Sequence, residues 1–169
     1  MSGVVSNATP LIYLAKIGKL YLLKRVFGEV FIPEEVKSET VDRGKQLREK
    51  DAYIIEKAIN EGWLKVFTTE FIEVPVELGL GELAVLSLAK SLGIKEVLID
   101  EISARTVARL LGLVPRGTIF VLLKALEIKE ISFNEFLEAL NELVRQGFRL
   151  KEEIYLEAIR EARRIVKES

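Results

Sequence analysis

Glu96-Val97-Leu98-Ile99-Asp100-Glu101-Ile102-Ser103-Ala104-Arg105 runs from a short aliphatic segment into two acids and then into helical spacing. Val97-Leu98-Ile99 reads as a short buried strand, and Glu101 to Leu111 as the helix after it, stopped by Gly112. The chain opens in the same way. Val4-Val5-Ser6 reads as a strand, Asn7 ends it, and Thr9 with Pro10 begins a helix that stops at Gly18. Thr9 is expected to be the N-cap, with Pro10 at the first helical position. In an open α/β sheet, ligands bind outside the carboxyl ends of the strands. Asn7, Asp100 and Glu101 are therefore placed where a site would form. Glu82 joins them from Gly79-Leu80-Gly81-Glu82, which opens the amphipathic helix Gly81 to Leu92.

The rest of the chain keeps the alternation. A helix over Leu20–Val26 precedes strand Glu29–Ile32, and Pro33 starts a helix to about Val41 carrying Glu39. Ala52, Ile55, Ala58 and Ile59 mark a helix ended by Gly62, before strand Leu64–Phe67. Ile72–Val76 is expected to add a short extended piece, and Leu113-Val114 a last strand before a helix from Thr118. Ser132 with Glu135 forms a capping box. It starts a helix whose apolar stripe is Phe136, Leu137, Leu140 and Val144. A final helix, from about Lys151 to Val166, presents Ile154, Ala158, Ala162 and Ile165. Strands alternating with helices predict a parallel sheet with helices on both faces. The 169 residues fit one domain, 1–169, with the helices from about 132 packed on it.

Composition narrows the chemistry. There is no Cys and no His. Disulfide frameworks, thiolate zinc sites, imidazole acid–base catalysis and His-based triads are excluded. Carboxylates, Lys, Tyr, hydroxyls or a bound metal remain. The formal net charge is −1 and the pI about 5.8. That counts against strong nonspecific DNA binding but leaves a nuclease open, because an acidic metal site offsets basic residues elsewhere. No apolar run is long enough for a membrane span, and no secretion signal is visible, so a cytoplasmic location is expected. Abundant Lys, Arg and Glu with few amides lean towards a thermophile.

Hard oxygen donors held together are how proteins bind Mg²⁺ or Mn²⁺. Metal-dependent phosphoester chemistry is thus the first reading for Asn7, Glu82, Asp100 and Glu101. Each residue also has a plainer role. Asp100 and Asn7 suit a cap or turn, Glu82 suits a helix N-terminus, and Glu101 suits an i,i+4 pair with Arg105. Glu39 suits a solvated helix face. Arg116 and Thr118 either contact a phosphate or belong to the next helix start.

Together these segments resemble the PIN-domain family, in the branch similar to the toxin components of toxin–antitoxin pairs. The matching pieces are Val4 to Ile12, Phe27 to Val36, Gly79-Leu80-Gly81-Glu82, Leu98-Ile99-Asp100-Glu101 with Ala104-Arg105, Gly117-Thr118, and Gln146-Gly147-Phe148-Arg149. The resemblance implies a three-layer α/β/α fold around a central parallel sheet of four or five strands. It implies Mg²⁺- or Mn²⁺-dependent endoribonuclease chemistry on RNA, a small antitoxin partner and a homodimer. Its metal-site acids fall on Asn7, Glu82 and Asp100, with Glu101 beside them and Glu39 as a further acid. Arg105, Arg116 and Thr118 are its substrate-binding candidates. Two departures stand out: Asn7 replaces the usual aspartate, and Gly117-Thr118 stands where other branches carry an acid. The alternative reading is a catalytically degenerate PIN-fold protein that binds protein or RNA.

Overall fold

The computed structural model describes residues 3–169. Five strands form one sheet: β1 (Val4–Ser6), β2 (Val30–Pro33), β3 (Leu64–Phe67), β4 (Glu96–Leu98) and β5 (Val114–Arg116). Their order is β3-β2-β1-β4-β5, and every pairing is parallel. Val4 pairs with Val30, Val5 with Val97, Val30 with Leu64, and Leu98 with Arg116. The central strands are covered on both faces, so they are aliphatic without alternation. Val4, Val5, Val30, Ile32, Val97 and Leu98 are fully buried. The edges look different. β3 alternates buried Leu64 with exposed Lys65, and β5 carries Pro115, whose missing N–H suits an edge.

The crossover connections distribute the helices around the sheet. α1 (Ala8–Lys16), α2 (Tyr21–Phe27) and α8 (Thr118–Glu127) pack together on one side. α6 (Leu80–Leu92) crosses β1, β2 and β4 on the other, with α7 (Ile102–Leu110) beside it. α9 (Phe133–Arg145) and α10 (Glu152–Glu168) pack on α8. This is the three-layer α/β/α arrangement with a five-stranded parallel sheet.

Several elements depart from the sequence expectation. The N-cap of α1 is Asn7, in extended backbone at φ −79 and ψ 174, not Thr9. Pro10 then sits within the first turn, where no intrahelical N–H bond is lost. The helix expected from Pro33 to Val41 is real but broken: α3 (Glu34–Lys37) passes into a π turn (Ser38–Asp42) and then α4 (Arg43–Gln46). α5 (Lys50–Glu61) follows. Ile72–Val76 is not a strand. It crosses towards α6 as loop, tied by the Ile72 N–H donating to Ser87 Oγ at 3.0 Å.

The C-terminal helices also differ in detail. The Ser132–Glu135 capping box is present, with reciprocal bonds of 3.1 Å. On α9 the buried residue near the end is Leu143, while Val144 faces solvent. Phe136 and Leu140 are fully buried within the chain itself, and Ile154 is exposed.

Candidate metal and RNA site

The carboxyl ends of β1, β4 and β5 lie side by side. The Asn7 N–H donates to the Leu98 carbonyl at 2.9 Å, carrying the ladder one residue past β1. The Ile99 N–H donates to the Arg116 carbonyl at 2.9 Å. These two bonds place Asn7, Asp100 and Thr118 along one sheet edge, beneath the start of α6. Candidate side chains gather there around two glycines.

Gly81 is the first. A Cβ built on it would strike Glu39 Oε1 and lie 3.4 Å from Asn7 Oδ1. The bare Cα thus lets a carboxylate from the π turn and an amide from β1 approach the same helix N-terminus. π turns are frequent at functional sites because they shift side chains out of helical register. Burial holds the Glu39 carboxyl above the usual carboxylate range. Arg43 opposes this and the neighbouring Glu82 charge adds to it. Glu82 Oε1 accepts the Gly79 N–H at 3.1 Å, which is half of a capping box. Glu82 Oε2 is buried and has no hydrogen-bond partner among the described residues. The Asn7 side chain does not cap its own helix.

Gly117 is the second. Its absent Cβ would lie 2.8 Å from Asp100 Oδ1 and 3.4 Å from Arg105 Nη1. Asp100 does not cap α7. That position belongs to Glu101. Instead its carboxylate caps α8: Oδ1 accepts the Thr118 N–H at 2.9 Å, and Oδ2 accepts the Thr118 hydroxyl at 2.7 Å. Burial raises the proton affinity of Asp100. The two Thr118 bonds and Arg105 oppose the rise, and Glu101 adds to it.

The remaining candidates have other occupations. Arg105 turns inward and donates from Nη1 to the Ile99 carbonyl at 3.0 Å. Burial first, then Arg109 and Arg116, bring its proton affinity below the usual guanidinium value, against the pull of Asp100. The expected Glu101–Arg105 pair is therefore absent among the described residues, and Glu101 is exposed. Arg116 is held by Glu96 at 3.2 Å and lies over the Phe120 ring at 4.3 Å. Thr118 is fully buried.

The structure thus brings Asn7 and Glu39 against Gly81, sets Glu82 near enough for its charge to act on Glu39, and gives Asp100 its own support at the same end of the sheet. Among the described residues no three carboxylates form a ready-made metal cage. The donor set nevertheless fits a hard divalent ion: the Asn7 amide oxygen and two carboxylates, Glu39 and Glu82, the latter with a buried oxygen that has no hydrogen-bond partner among the described residues. Sequence reasoning read Glu39 most simply as a solvated helix residue and, through the family resemblance, as a further acid of the site. It missed the π turn that redirects it, and it missed the steric role of Gly81 and Gly117. Gly81 stands immediately before Glu82, whereas Gly117 lies between Arg116 and Thr118, so only Gly81 is marked by an adjacent acid.

The chain is thus an open parallel α/β domain with polar and acidic groups gathered at the carboxyl ends of its central strands. A family model described as a PIN domain matches residues 3–164, and the chain belongs to that family. PIN domains bind RNA and generally depend on divalent metal. No curated protein matches the chain at a significant level.

Proposed function

We propose that this protein is a divalent-metal-dependent ribonuclease of PIN type, the toxin of a toxin–antitoxin pair, slowed by Asn7. The observation that supports it best is the Gly81 cluster. Glu39, Glu82 and Asn7 offer oxygens around one helix N-terminus, and Glu82 Oε2 is buried without a hydrogen-bond partner among the described residues. A buried, unpaired carboxylate oxygen is costly unless something compensates it. Glu82, Glu39 and Asn7 would hold Mg²⁺ or Mn²⁺, with Asp100 beside them. The bound ion supplies Lewis acidity and makes water nucleophilic near neutral pH.

This chain's own residues do the rest. Thr118 fixes the Asp100 carboxylate in one orientation. Arg105 contributes positive charge behind Asp100 and thereby keeps more of it ionised. Asn7 lends a lone pair but no charge, so the ion is held weakly. The test is cleavage of single-stranded RNA with and without Mn²⁺, in wild type and Glu82→Gln. Metal-dependent cleavage lost in the variant supports the reading, and equal cleavage by both sinks it.

A second reading has its own support. Asn7 is neutral and both Asp100 oxygens are already engaged by Thr118, as suits a degenerate module that binds RNA or protein without cutting. RNA binding with no cleavage in any metal would favour it. The antitoxin partner rests on the family resemblance, and co-purification with the product of an adjacent small reading frame tests it. A homodimer is also proposed. Its apolar contacts would come from exposed Val144, Ile154, Leu156 and Val166, since Phe136 and Leu140 are consumed by the core. Sedimentation showing only monomer would remove it. No helix among the described residues is long and apolar enough to cross a membrane, and a cytoplasmic place is proposed.

A further inference from the structure

A hollow of about 320 Å³ opens beside Glu39, between α1, the π turn, α4 and the start of α5. Ile12 and Leu47 form its apolar walls, and Leu47 is 63% exposed. Asp51 lines it with a carboxylate on a residue only 6% exposed. That carboxylate makes no hydrogen bond among the described residues. Lys16 Nζ stands 3.5 Å from Asp51 Oδ1 and 3.6 Å from Glu49 Oε2, both too long for a good charged hydrogen bond. A buried carboxylate with only a stretched ion pair has room for donors. Arg43 lines the same hollow, makes no ion pair among the described residues, and lies near enough for its charge to act on Glu39.

We propose that this hollow is a base-reading subsite that takes one guanine of single-stranded RNA, next to the phosphodiester presented to Glu39 and Glu82. The inference rests on the ribonuclease reading above. Guanine presents its N1–H and its amino group side by side, a donor pair that matches the two oxygens of Asp51. The Watson–Crick edges of adenine, cytosine and uracil each set acceptors beside a single donor group, and a carboxylate repels acceptors. Ile12 and Leu47 take the apolar faces of the base. Arg43 takes the flanking phosphate, a contact that positions without reading sequence. An arginine side chain from a peptide also carries paired donors. Lys16 and Arg43 would repel that cation, whereas a nucleotide brings them an anion.

The test uses the full chain, labelled with ¹⁵N and titrated without metal. The probes are guanosine, inosine, adenosine, cytidine and uridine 5′-monophosphates, and N-acetyl-arginine amide. Guanosine monophosphate should shift the amides of Leu47 and Asp51 and bind about tenfold tighter than inosine monophosphate, which lacks one donor to the carboxylate. Asp51→Asn should erase that preference. Leu47→Ser, at an exposed position that leaves the core intact, should weaken guanosine monophosphate while keeping the rank order. Equal responses to all nucleotides, shifts confined to other surfaces, or tighter binding of the arginine derivative would each overturn the subsite. Mn²⁺-dependent cleavage of mixed-sequence RNA is measured alongside. Cleavage without guanine preference overturns the subsite and spares the ribonuclease reading. Guanosine monophosphate selectivity without any cleavage supports the subsite and overturns the ribonuclease reading.

Discussion

Thr118→Val removes one hydroxyl, keeps the side-chain shape, and leaves the Thr118 N–H on Asp100 Oδ1. What disappears is the 2.7 Å bond to Asp100 Oδ2. Thr118 is fully buried, so water cannot easily replace the lost donor. A hydrogen bond to a charged group contributes about 1.5–3 kcal/mol, and that range is the expected loss at pH 7. Urea unfolding with an unchanged m-value measures it.

The pH dependence gives an independent check. Burial already holds the Asp100 carboxyl above the usual carboxylate range. Between that range and the raised value, the folded state keeps a proton that the unfolded state has lost. The unfolded state binds fewer protons, so stability contributed by this group falls as pH rises through the window. Thr118→Val removes a bond that favours the ionised form and pushes the carboxyl further up. The variant's deficit must therefore grow with pH. Below the ordinary carboxylate range Asp100 is protonated in both states, and the deficit should shrink to that of a neutral bond, about 1 kcal/mol. In an Asp100→Asn background the deficit should be similarly small at every pH. A loss under about 0.5 kcal/mol at pH 7, or one equal at both pH extremes and in both backgrounds, would refute the clamp.

Other outcomes follow from packing and steric facts. Phe136→Ala deletes a fully buried ring and should cost about 3–5 kcal/mol in urea unfolding. Ser132→Ala breaks the capping box of α9 and should cost about 1 kcal/mol, with no effect on metal binding. Gly81→Ala puts a methyl against Glu39 Oε1. Ala favours helix by up to about 1 kcal/mol over Gly, so thermal stability should hold or rise slightly while Mn²⁺ affinity measured by calorimetry falls.

Much of the fold was legible because its signals are local. Short apolar runs mark the central strands, and Gly62, Gly93, Gly112 and Gly147 mark the ends of helical segments. The Ser132–Glu135 box is visible as letters three apart. What could not be read depends on contacts between distant segments. Thr9 is a good cap by residue type, but the pairing of Asn7 with Leu98 ends the strand two residues earlier. Ile72–Val76 has strand-like residues but no place in the sheet. Asp100 was legible as the polar residue just past its strand, while its partner Thr118 lies across the β4–β5 connection. Glu39 changes meaning only through the π turn, and a one-residue widening of a helix leaves no periodic trace in so short a segment.

Calorimetric titration of Mn²⁺ into wild type, Asn7→Asp and Glu82→Gln, with RNA cleavage followed on the same samples, decides whether this end of the sheet holds the metal. Wild type should bind Mn²⁺ weakly. Asn7→Asp should bind the ion at least about tenfold tighter, because a carboxylate offsets charge that an amide cannot, and should cleave single-stranded RNA faster. Glu82→Gln should lose both. Wild-type affinity and cleavage retained in Glu82→Gln, with no gain in Asn7→Asp, would contradict the assignment of this sheet edge as the metal and RNA site.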